Sequence, residues 1–335
     1  MKIYQQIVSE ILAASHIVIT SHKSPDGDSV GSSLGMLHFI HKLGKNAIVC
    51  HPDPAPEFLM WLENAPNILT MTNNATLIES HFEQADLIFC LDYNATDRVG
   101  EDMQKILEKA NCKKIMIDHH LNPQDFAALT VSEPQVCSTA QLIIELIVQS
   151  GNEALLDSKI GTPLYLGILT DTGSFRFSSV QPRTHQLLAM LLEAGVQHHL
   201  IHESLNDTNT LGRLRLQGYA MSQKLEIMEQ NHVAIISLTE TELDQYNYQK
   251  GDTDGLPNMA LSIKGMKAAM LFSEKDGLIK ISFRSKGKDN PVNVLASEYF
   301  DGGGHANASG GRSHLSMAET LLKIKALIPT YFPAV

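Results

Sequence analysis

Three apolar segments of strand length in the first half of the chain each end directly on an aspartate or a histidine. The residues at these three ends are His22, Asp92 and the triplet Asp118-His119-His120. In an open parallel sheet, the carboxyl ends of the strands form the crevice in which ligands bind. Carboxylates and imidazoles are side chains that hold divalent metals. The pattern therefore predicts an α/β fold with a metal site at one edge of its sheet.

Strand and helix patterns alternate through the first half of the chain. The strand patterns lie near residues 16–22, 46–51, 85–92 and 113–118. Helical periodicity covers residues 29–44, 101–110, 139–150 and 153–168. Alternation of this kind is typical of βαβ units, whose helices cover both faces of a mainly parallel sheet. We expect this domain to span residues 1–205.

The pattern changes after this domain. Apolar residues at helical spacing predict one helix over residues 208–228, within a helical linker assigned to residues 206–229. Residues 232–238 then alternate as a strand, and the turn at residues 275–277 lies between two further strands as in a hairpin. These signals predict that a linker joins the parallel domain to a different kind of fold.

The remaining residues, 230–335, are expected to form a smaller α+β domain. A helical pattern over residues 292–300 leads into a glycine-rich loop at 302–311, and a last helix is predicted at about 316–327. We expect the active site in the cleft between the two domains. With 335 residues, each domain is large enough to bury a core of its own.

Composition narrows the classes of function. A formal net charge of -11 argues against a surface that binds a long nucleic-acid duplex, because such surfaces are rich in lysine and arginine. The four cysteines are scattered and form no disulfide framework or zinc motif. Neither a membrane-spanning run nor a secretory signal is recognisable, so we expect a cytoplasmic protein. A homodimer is compatible with these expectations.

The site candidates extend beyond the three strand ends. The candidate metal ligands are His22, Asp26, Asp28, Asp92, His119 and Asp171. Taken singly, an aspartate before a glycine is more often a turn or helix-cap residue than a ligand. Ligand chemistry at every strand end of one sheet is what favours a metal site here.

The charges of these candidates match two divalent ions. Four carboxylates offset two M²⁺, and the two imidazoles coordinate as neutral ligands. A mixed set of imidazoles and carboxylates without thiolates suits Mn²⁺, with Mg²⁺ or Co²⁺ as alternatives. Two such ions about 4 Å apart activate a water and stabilise phosphoryl transfer. The sequence thus favours a two-metal phosphoesterase.

Several motifs of the chain resemble those of the DHH phosphoesterase superfamily. They are His22-x-x-x-Asp26-x-Asp28, Asp92, Asp118-His119-His120 and Asp171-Thr172-Gly173. The segment 302–311 looks like the glycine motif of the DHH-associated domain. Residues 282–285 and 292–294 make the pattern most similar to the nanoRNase/pAp phosphatase branch, where pAp is 3′-phosphoadenosine 5′-phosphate.

The resemblance implies a role for each residue of the motifs. It places His22, Asp26 and Asp92 on one metal, and Asp28, Asp92, His119 and Asp171 on the other. Asp92 would bridge the two ions. Asp118 would orient an imidazole, taken here as that of His119, and His120 would face the scissile phosphate. The catalytic residues are thus expected to be Asp92, Asp118 and His120.

The second domain is expected to bind the substrate. The implied binding residues are Arg284, Ser285, Gly303, Gly304 and His305. Glycines let backbone amides approach a phosphate, and an arginine can bind it through two hydrogen bonds. A flexible surface loop is the alternative for the glycines. Asp301 and Ser309 depart from the family pattern, where glycine and alanine are common.

The resemblance implies an enzyme that hydrolyses short oligoribonucleotides, including pGpG and pApA, to 5′-mononucleotides and dephosphorylates pAp to AMP. One cut between phosphorus and the 3′ oxygen would account for both reactions. The partners would be short RNA and pAp, with no long duplex and no membrane.

Four alternatives remain open. One is a cyclic-dinucleotide phosphodiesterase, and another is a pyrophosphatase or exopolyphosphatase-like enzyme of the same superfamily. A RecJ-type exonuclease would need further strand-binding domains. A non-catalytic nucleotide sensor is the alternative from another class.

Overall fold

The computed structural model describes residues 2–334. It divides into two compact units, the first ending at Thr208 and the second beginning at Asn209. The helices of the first unit are α1 Lys2–Ala13, α2 Gly27–Lys42, α3 Met71–Gln84, α4 Glu101–Lys109, α5 Thr139–Gln149, α6 Ser158–Asp171, α7 Pro182–Glu193 and α8 His198–Asn206. Its strands are β1 Ile17–Thr20, β2 Ala47–His51, β3 Leu69–Thr70, β4 Leu87–Leu91, β5 Lys113–Asp118 and β6 Leu129–Ser132.

The sheet of the first unit is parallel throughout. Its strand order is β3-β2-β1-β4-β5-β6. The chain builds outward from the centre in both directions, so the topological switch point lies between β1 and β4. His22 follows β1 by two residues and Asp92 follows β4 directly. The predicted α/β class and the four predicted strands are confirmed, whereas the short edge strands β3 and β6 lack a long apolar run and were not predicted.

Both faces of this sheet are covered by helices. In β1, Ile17 and Ile19 belong to the core packed by α1, α2 and α5, and Val18 belongs to the core packed by α3 and α4. Alternate strand residues point to opposite faces, and each face here is apolar. This is why the strands have continuous apolar sequences and why polar residues appear only where the strands end.

Glycines bring helices α2 and α6 close together. A Cβ atom on Gly31 would meet the carbonyl oxygen of Pro163 and would lie 3.1 Å from the nitrogen of Gly167. A Cβ on Gly167 would in turn lie 2.9 Å from Oδ1 of Asp28. The first turn of α2 and the last turn of α6 therefore meet, and α6 ends at Asp171. The predicted helix at 153–168 begins later, at Ser158, after a 3₁₀ turn.

The second unit has a mixed sheet with helices on both faces. Its helices are α9 Leu211–Tyr219, α10 Glu240–Gln245, α11 Leu256–Leu261, α12 Asn293–Tyr299 and α13 Met317–Tyr331. Its strands are β7 Leu225–Met228, β8 Val233–Leu238, β9 Ala268–Lys275, β10 Leu278–Ser285, β11 Gly303–His305 and β12 Ala308–Ser313. The order is β11-β12-β10-β9-β8-β7. Within this second sheet β8 and β9 pair in parallel, and the other neighbouring strands described pair antiparallel.

Two predictions for the second half need correction. The single helix over 208–228 is wrong at both ends, because α9 begins at Leu211 and β7, Leu225–Met228, is a strand paired with β8. A π-helical turn at Ala220–Lys224 ends the helix. The apolar residues of β7 also fit helical spacing, so the pattern alone did not separate the two.

The glycine-rich loop predicted at 302–311 is instead a hairpin, because β11 and β12 pair antiparallel and β12 also pairs with β10. The predicted hairpin between β9 and β10 is confirmed. The four cysteines are free. Among residues 2–334, no helix combines the length and apolar character needed to cross a membrane.

Candidate metal centre

His22 and Asp92 meet at the switch point of the sheet. The Nδ1 of His22 lies 2.8 Å from the carbonyl oxygen of Lys23, which can only accept, so this nitrogen carries the proton. The Nε2 lone pair is then directed to the carboxylates and lies 3.4 Å from Oδ2 of Asp92 and 3.8 Å from Oδ2 of Asp26. His22 is buried, and its orientation suits a neutral metal ligand.

The two aspartates of the following loop have different environments. Asp26 caps helix α2, because its Oδ1 accepts hydrogen bonds from the backbone nitrogens of Asp28 and Ser29, both at 3.0 Å. Its Oδ2 faces His22. The side chain is 57% exposed, so one oxygen fixes the loop while the other stays accessible to a ligand.

Asp28 lies at the amino end of helix α5. Its two oxygens accept hydrogen bonds from the backbone nitrogens of Thr139, at 2.7 Å, and Ala140, at 2.9 Å. Burial raises the pKa of this carboxyl above its usual value. His119 and the two amide hydrogen bonds act in the opposite direction without outweighing burial. A helix amino end favours negative charge, which explains how a nearly inaccessible carboxylate is tolerated there.

Asp92 has the most constrained position in the site. Its φ angle is +65°, a left-handed value that aspartate tolerates better than most residues. Thr139 donates a hydrogen bond from Oγ1 to Asp92 Oδ1 at 3.0 Å. Burial raises the pKa of Asp92 well above its usual value, and the negative charge of Asp28 adds to this effect. A strained backbone and a perturbed pKa of this kind are typical of functional sites, where contacts with neighbouring residues hold the conformation.

Within Asp118-His119-His120, the two histidines have different hydrogen-bond partners. His119 Nδ1 lies 3.3 Å from the carbonyl oxygen of Val136, while its Nε2 lies 3.6 Å from Oδ1 of Asp92 and 3.4 Å from Oδ2 of Asp171. Asp28 Oδ2 is 3.9 Å from the same nitrogen. His119 is therefore oriented by a backbone carbonyl, with its second nitrogen directed to three carboxylates.

Asp118 orients His120, not His119 as the sequence led us to expect. Its Oδ1 is 2.8 Å from His120 Nδ1, and its Oδ2 accepts from the backbone nitrogen of His120 at 2.9 Å. The reason is local, because a carboxylate reaches the imidazole and the amide two residues later within one turn of chain. This contact places the proton of His120 on Nδ1.

Asp171 completes the group from the end of helix α6. Burial raises its pKa to about 8, and the negative charges of Asp28 and Asp26 contribute. Neighbouring carboxylates disfavour one another's ionised forms when no cation lies between them.

Three sets of three residues bring ligand atoms within 4.8 Å of one another. They are His22, Asp26 and Asp92; Asp92, His119 and His120; and Asp28, His119 and Asp171. Asp92 is shared between the first two sets, and His119 between the last two. Carboxylates this close together, with imidazole nitrogens directed at them, are suited to divalent cations. Such cations would relieve the repulsion between the negative charges.

Sequence reasoning missed one residue that connects the network. Thr139 contacts Asp28 through its backbone nitrogen and Asp92 through its hydroxyl. Ser138 before an apolar helix is a recognisable capping signal in the sequence. However, the carboxylates at this helix end come from residues more than forty positions away, which no local pattern indicates.

The predicted substrate residues lie in the second unit. Arg284 lies inside β10, where its Nη1 donates to the carbonyl oxygen of Phe283 at 2.9 Å. Burial lowers the pKa of Arg284 below its usual value, and the negative charge of Asp254 offsets only part of this effect. Asp254 is also close to Arg213 and Lys250, so cationic side chains gather around one carboxylate. Arg213 was not predicted, because its sequence neighbourhood shows only helical spacing.

Ser285 and the glycine hairpin are held together. Asn307 donates from Nδ2 to Oγ of Ser285 at 2.8 Å, and Ser285 donates its backbone N–H to the carbonyl oxygen of Asn307 at 3.1 Å. Gly304 has a φ of +134°, and a Cβ there would lie 2.7 Å from the carbonyl oxygen of Ala308. Gly303 and His305 are exposed in the same strand.

The backbone conformation at position 301 explains why aspartate can replace the glycine that is common there in the family. Asp301 has a φ of +42°, in the region that favours glycine. Aspartate is one of the few other residues that tolerate it, so the hairpin keeps its geometry.

The parallel sheet, with aspartates and histidines gathered at its switch point, defines an α/β protein with a candidate metal centre. A family model described as "DHH family, N-terminal domain" matches residues 16–168, and a second, described as "DHHA1 domain", matches residues 230–328. The chain belongs to the DHH family, whose members include phosphoesterases.

Individual relatives agree with this assignment. The chain is 30% identical to the bifunctional oligoribonuclease and PAP phosphatase NrnA of Thermus thermophilus, over 91% of this chain and 87% of that protein. It is 26% identical to the cyclic-di-AMP phosphodiesterase GdpP of Bacillus subtilis, over 98% of this chain but 49% of that protein. The solved structure of an exopolyphosphatase-related protein from Bacteroides fragilis is 37% identical, with a TM-score of 0.95 over 99% of this chain and 97% of that one.

Proposed function

We propose that the chain hydrolyses short oligoribonucleotides, such as pGpG and pApA, to 5′-mononucleotides and dephosphorylates pAp to AMP. The observation that carries this proposal is the position of Asp92 between two imidazoles. Its Oδ2 faces His22 and its Oδ1 faces His119. One carboxylate with its oxygens directed to two ligand sets is what a bridged pair of cations requires.

We propose the ligand sets that the family resemblance implies, which the same geometry supports. His22, Asp26 and Asp92 would hold one ion, and Asp28, Asp92, His119 and Asp171 the other. When bound, such a pair supplies a hydroxide near neutral pH and neutralises charge on the transferred phosphoryl group. We propose Mn²⁺, because imidazoles and carboxylates are mixed and no thiolate takes part, with Mg²⁺ or Co²⁺ able to substitute.

His120 is assigned to the substrate. Asp118 accepts a hydrogen bond from Nδ1 of its imidazole, which leaves the other ring nitrogen available to the substrate. A protonated His120 can donate to the 3′ oxygen as the bond to phosphorus breaks. Asp118 is a positioning residue in this scheme.

The second unit is proposed to recognise the terminal nucleotide. Arg284 and His305 would bind its phosphate, with Ser285 and the amides of Gly303 and Gly304 as further donors. Cleavage between phosphorus and the 3′ oxygen removes the 3′ phosphate of pAp and releases a mononucleotide from pApA. The same bond is broken in both substrates.

Two other activities are favoured by relatives. The similarity to GdpP favours a cyclic-dinucleotide phosphodiesterase, and the similarity to the exopolyphosphatase-related protein of Bacteroides favours polyphosphate hydrolysis. The NrnA relatives match this chain along nearly the whole of both lengths, which is why we prefer their reactions. We place the activity in the cytoplasm.

One parallel assay tests the proposal. Purified protein with Mn²⁺ is incubated with pAp, pApA, 5-mer RNA, 20-mer RNA, pyrophosphate and cyclic di-AMP, and the products are separated by chromatography. We expect turnover of pAp and pApA that exceeds that of the 20-mer. Turnover of cyclic di-AMP or pyrophosphate alone would replace our proposal by the corresponding alternative.

A further inference from the structure

A left-handed turn follows Asp171 and has no role in the mechanism described so far. Gly173, Ser174 and Phe175 have φ angles of +55°, +61° and +63°. Residues other than glycine rarely adopt such values, and a bulky aromatic residue is a clear outlier. Three in succession therefore need neighbours that hold them in place.

The turn is held at several points. Thr172 accepts a hydrogen bond at Oγ1 from the backbone nitrogen of Phe175, and its carbonyl oxygen accepts from the backbone nitrogen of Arg176, both at 3.0 Å. The side chain of Arg176 donates from Nε to the carbonyl oxygen of Gly173 at 2.8 Å. The Phe175 ring packs edge-on against Tyr165 at 6.0 Å between centroids. The backbone after Asp171 is thus fixed in a strained conformation.

This conformation turns one phenylalanine inward and the next outward. Phe177 is 54% exposed, and its ring covers Gly173, where a Cβ would lie only 2.6 Å from Cζ. Leu121, which directly follows His120, is 69% exposed. Two large apolar side chains therefore face solvent, one directly after His120 and the other six residues after Asp171. Single apolar side chains are often exposed on protein surfaces, so exposure alone does not mark a binding site. The ring of Phe177, however, lies against the backbone next to Asp171.

We infer that Phe177 stacks on a nucleobase of the substrate, specifically the base attached on the far side of the scissile phosphate. Aromatic side chains bind single-stranded nucleic acids by stacking, whatever the base, and neighbouring cations add attraction to the backbone. Arg176, exposed beside Phe177, supplies such a cation. The contact of the Phe177 ring with Gly173, two residues after Asp171, places this base next to the bond that is cleaved.

The inference rests on the proposed function, because it extends the substrate beyond the phosphate. In pApA a second nucleoside is attached to the scissile phosphate, whereas pAp has nothing beyond that phosphate. The first nucleotide is the same in both and is assigned to the second unit. Phe177 should therefore contribute to the binding of pApA and not to that of pAp, which makes it a specificity-determining residue.

Equilibrium binding separates these contributions without turnover. With Ca²⁺ in place of the catalytic metal, titration calorimetry gives the Kd of pApA and of pAp for the wild type and Phe177→Ala. We expect the Kd of pApA to rise about 10-fold and the Kd of pAp to stay unchanged. Phe177→Trp should restore pApA binding. Phe58→Ala, which removes another exposed ring (44% exposed), is the matched control.

A spectroscopic signal tests stacking itself. A dinucleotide with 2-aminopurine as its second base should lose fluorescence on binding to the wild type and keep it with Phe177→Ala at saturation. An equal change in the Kd of pApA and pAp, no change in either, or equal quenching by both proteins overturns the inference. A wild type that binds both ligands but hydrolyses neither with Mn²⁺ refutes the proposed function instead.

Discussion

The two units collect opposite charges at different parts of their sheets. In the first unit, aspartates and histidines lie beyond the ends of parallel strands, and carboxylates predominate. In the second, Arg284 lies within β10 and His305 within β11, with Arg213 and Lys250 near Asp254. One arrangement suits metal cations and the other suits phosphate. The proposed function uses both, and each arrangement belongs to a unit with its own core.

The largest effect is expected from removing the shared carboxylate of the first unit. Asparagine tolerates the left-handed backbone of Asp92, so Asp92→Asn changes the charge with little strain. We expect kcat for pAp to fall about 10⁴-fold, the size seen when a central catalytic group is lost. Steady-state kinetics at saturating Mn²⁺ measure this. Activity within a factor of about 10 of the wild type would contradict the bridged metal pair.

The close approach of α2 and α6 gives the next prediction. In Gly31→Ala the new methyl group meets backbone atoms of α6, which cannot rotate away, so Asp28 and Asp171 should separate. We expect a loss of about 3 kcal/mol in the free energy of unfolding and weaker Mn²⁺ binding. Urea unfolding and titration calorimetry measure the two. Gly218→Ala, at a helical glycine with open space around it, should leave Mn²⁺ binding unchanged and should not lower the free energy of unfolding.

Arg284 tests the cationic side of the comparison. Arg284→Ala should raise the KM for pAp about 10- to 100-fold with a smaller change in kcat, because a charged hydrogen bond to phosphate is lost. Arg284→Lys should recover part of the loss, since it keeps the charge without the two-point geometry. The exposed Arg215 on α9 provides the matched alanine control. An unchanged KM would remove Arg284 from the binding site.

The smallest effect concerns the stability of the second unit at acid pH. Burial raises the pKa of Glu242, yet hydrogen bonds from Tyr219, Lys224 and Thr239 outweigh it and bring the pKa to about 2. Its ionised form therefore stabilises the fold above the unfolded pKa of 4.5, and this contribution is lost as the pH falls toward 2.

Glu242→Gln should reduce the free energy of unfolding of this unit by about 1–2 kcal/mol at pH 7. The difference from the wild type should disappear near pH 2. Urea titrations between pH 7 and pH 2.5, followed by circular dichroism, report it. Glu229→Gln, at an exposed position, serves as the control and should leave the curves superimposed. A constant difference across this range would exclude the ionised hydrogen bonds as the cause.

The sequence predicted best those features in which the same local pattern recurs at the end of several strands. The strands before His22, Asp92 and Asp118 are continuous apolar runs because both faces of the sheet are covered. Parallel strands then bring their carboxyl ends to one edge, so the residues that follow them converge. These positions were predictable without any long-range information.

Sequence-based prediction failed where contacts between distant elements decide the outcome. The pairing of Asp118 with His120, and the double contact of Thr139 with Asp28 and Asp92, depend on side-chain directions that spacing does not specify. In the second unit the glycine segment became a hairpin because β12 finds a partner in β10. The left-handed turn before Phe177 was equally invisible in the sequence.

The position of Asp171 at the end of α6 also has a consequence for the synthesis of the chain. A ribosome releases β1, β4 and β5 well before α6, so the partial sheet leaves the exit tunnel with an incomplete ligand set. Contacts between residues far apart in sequence form late, because the intervening chain must be made and ordered first. The set formed by Asp28, His119 and Asp171 could therefore hold a cation only after translation has passed α6 and this helix has docked.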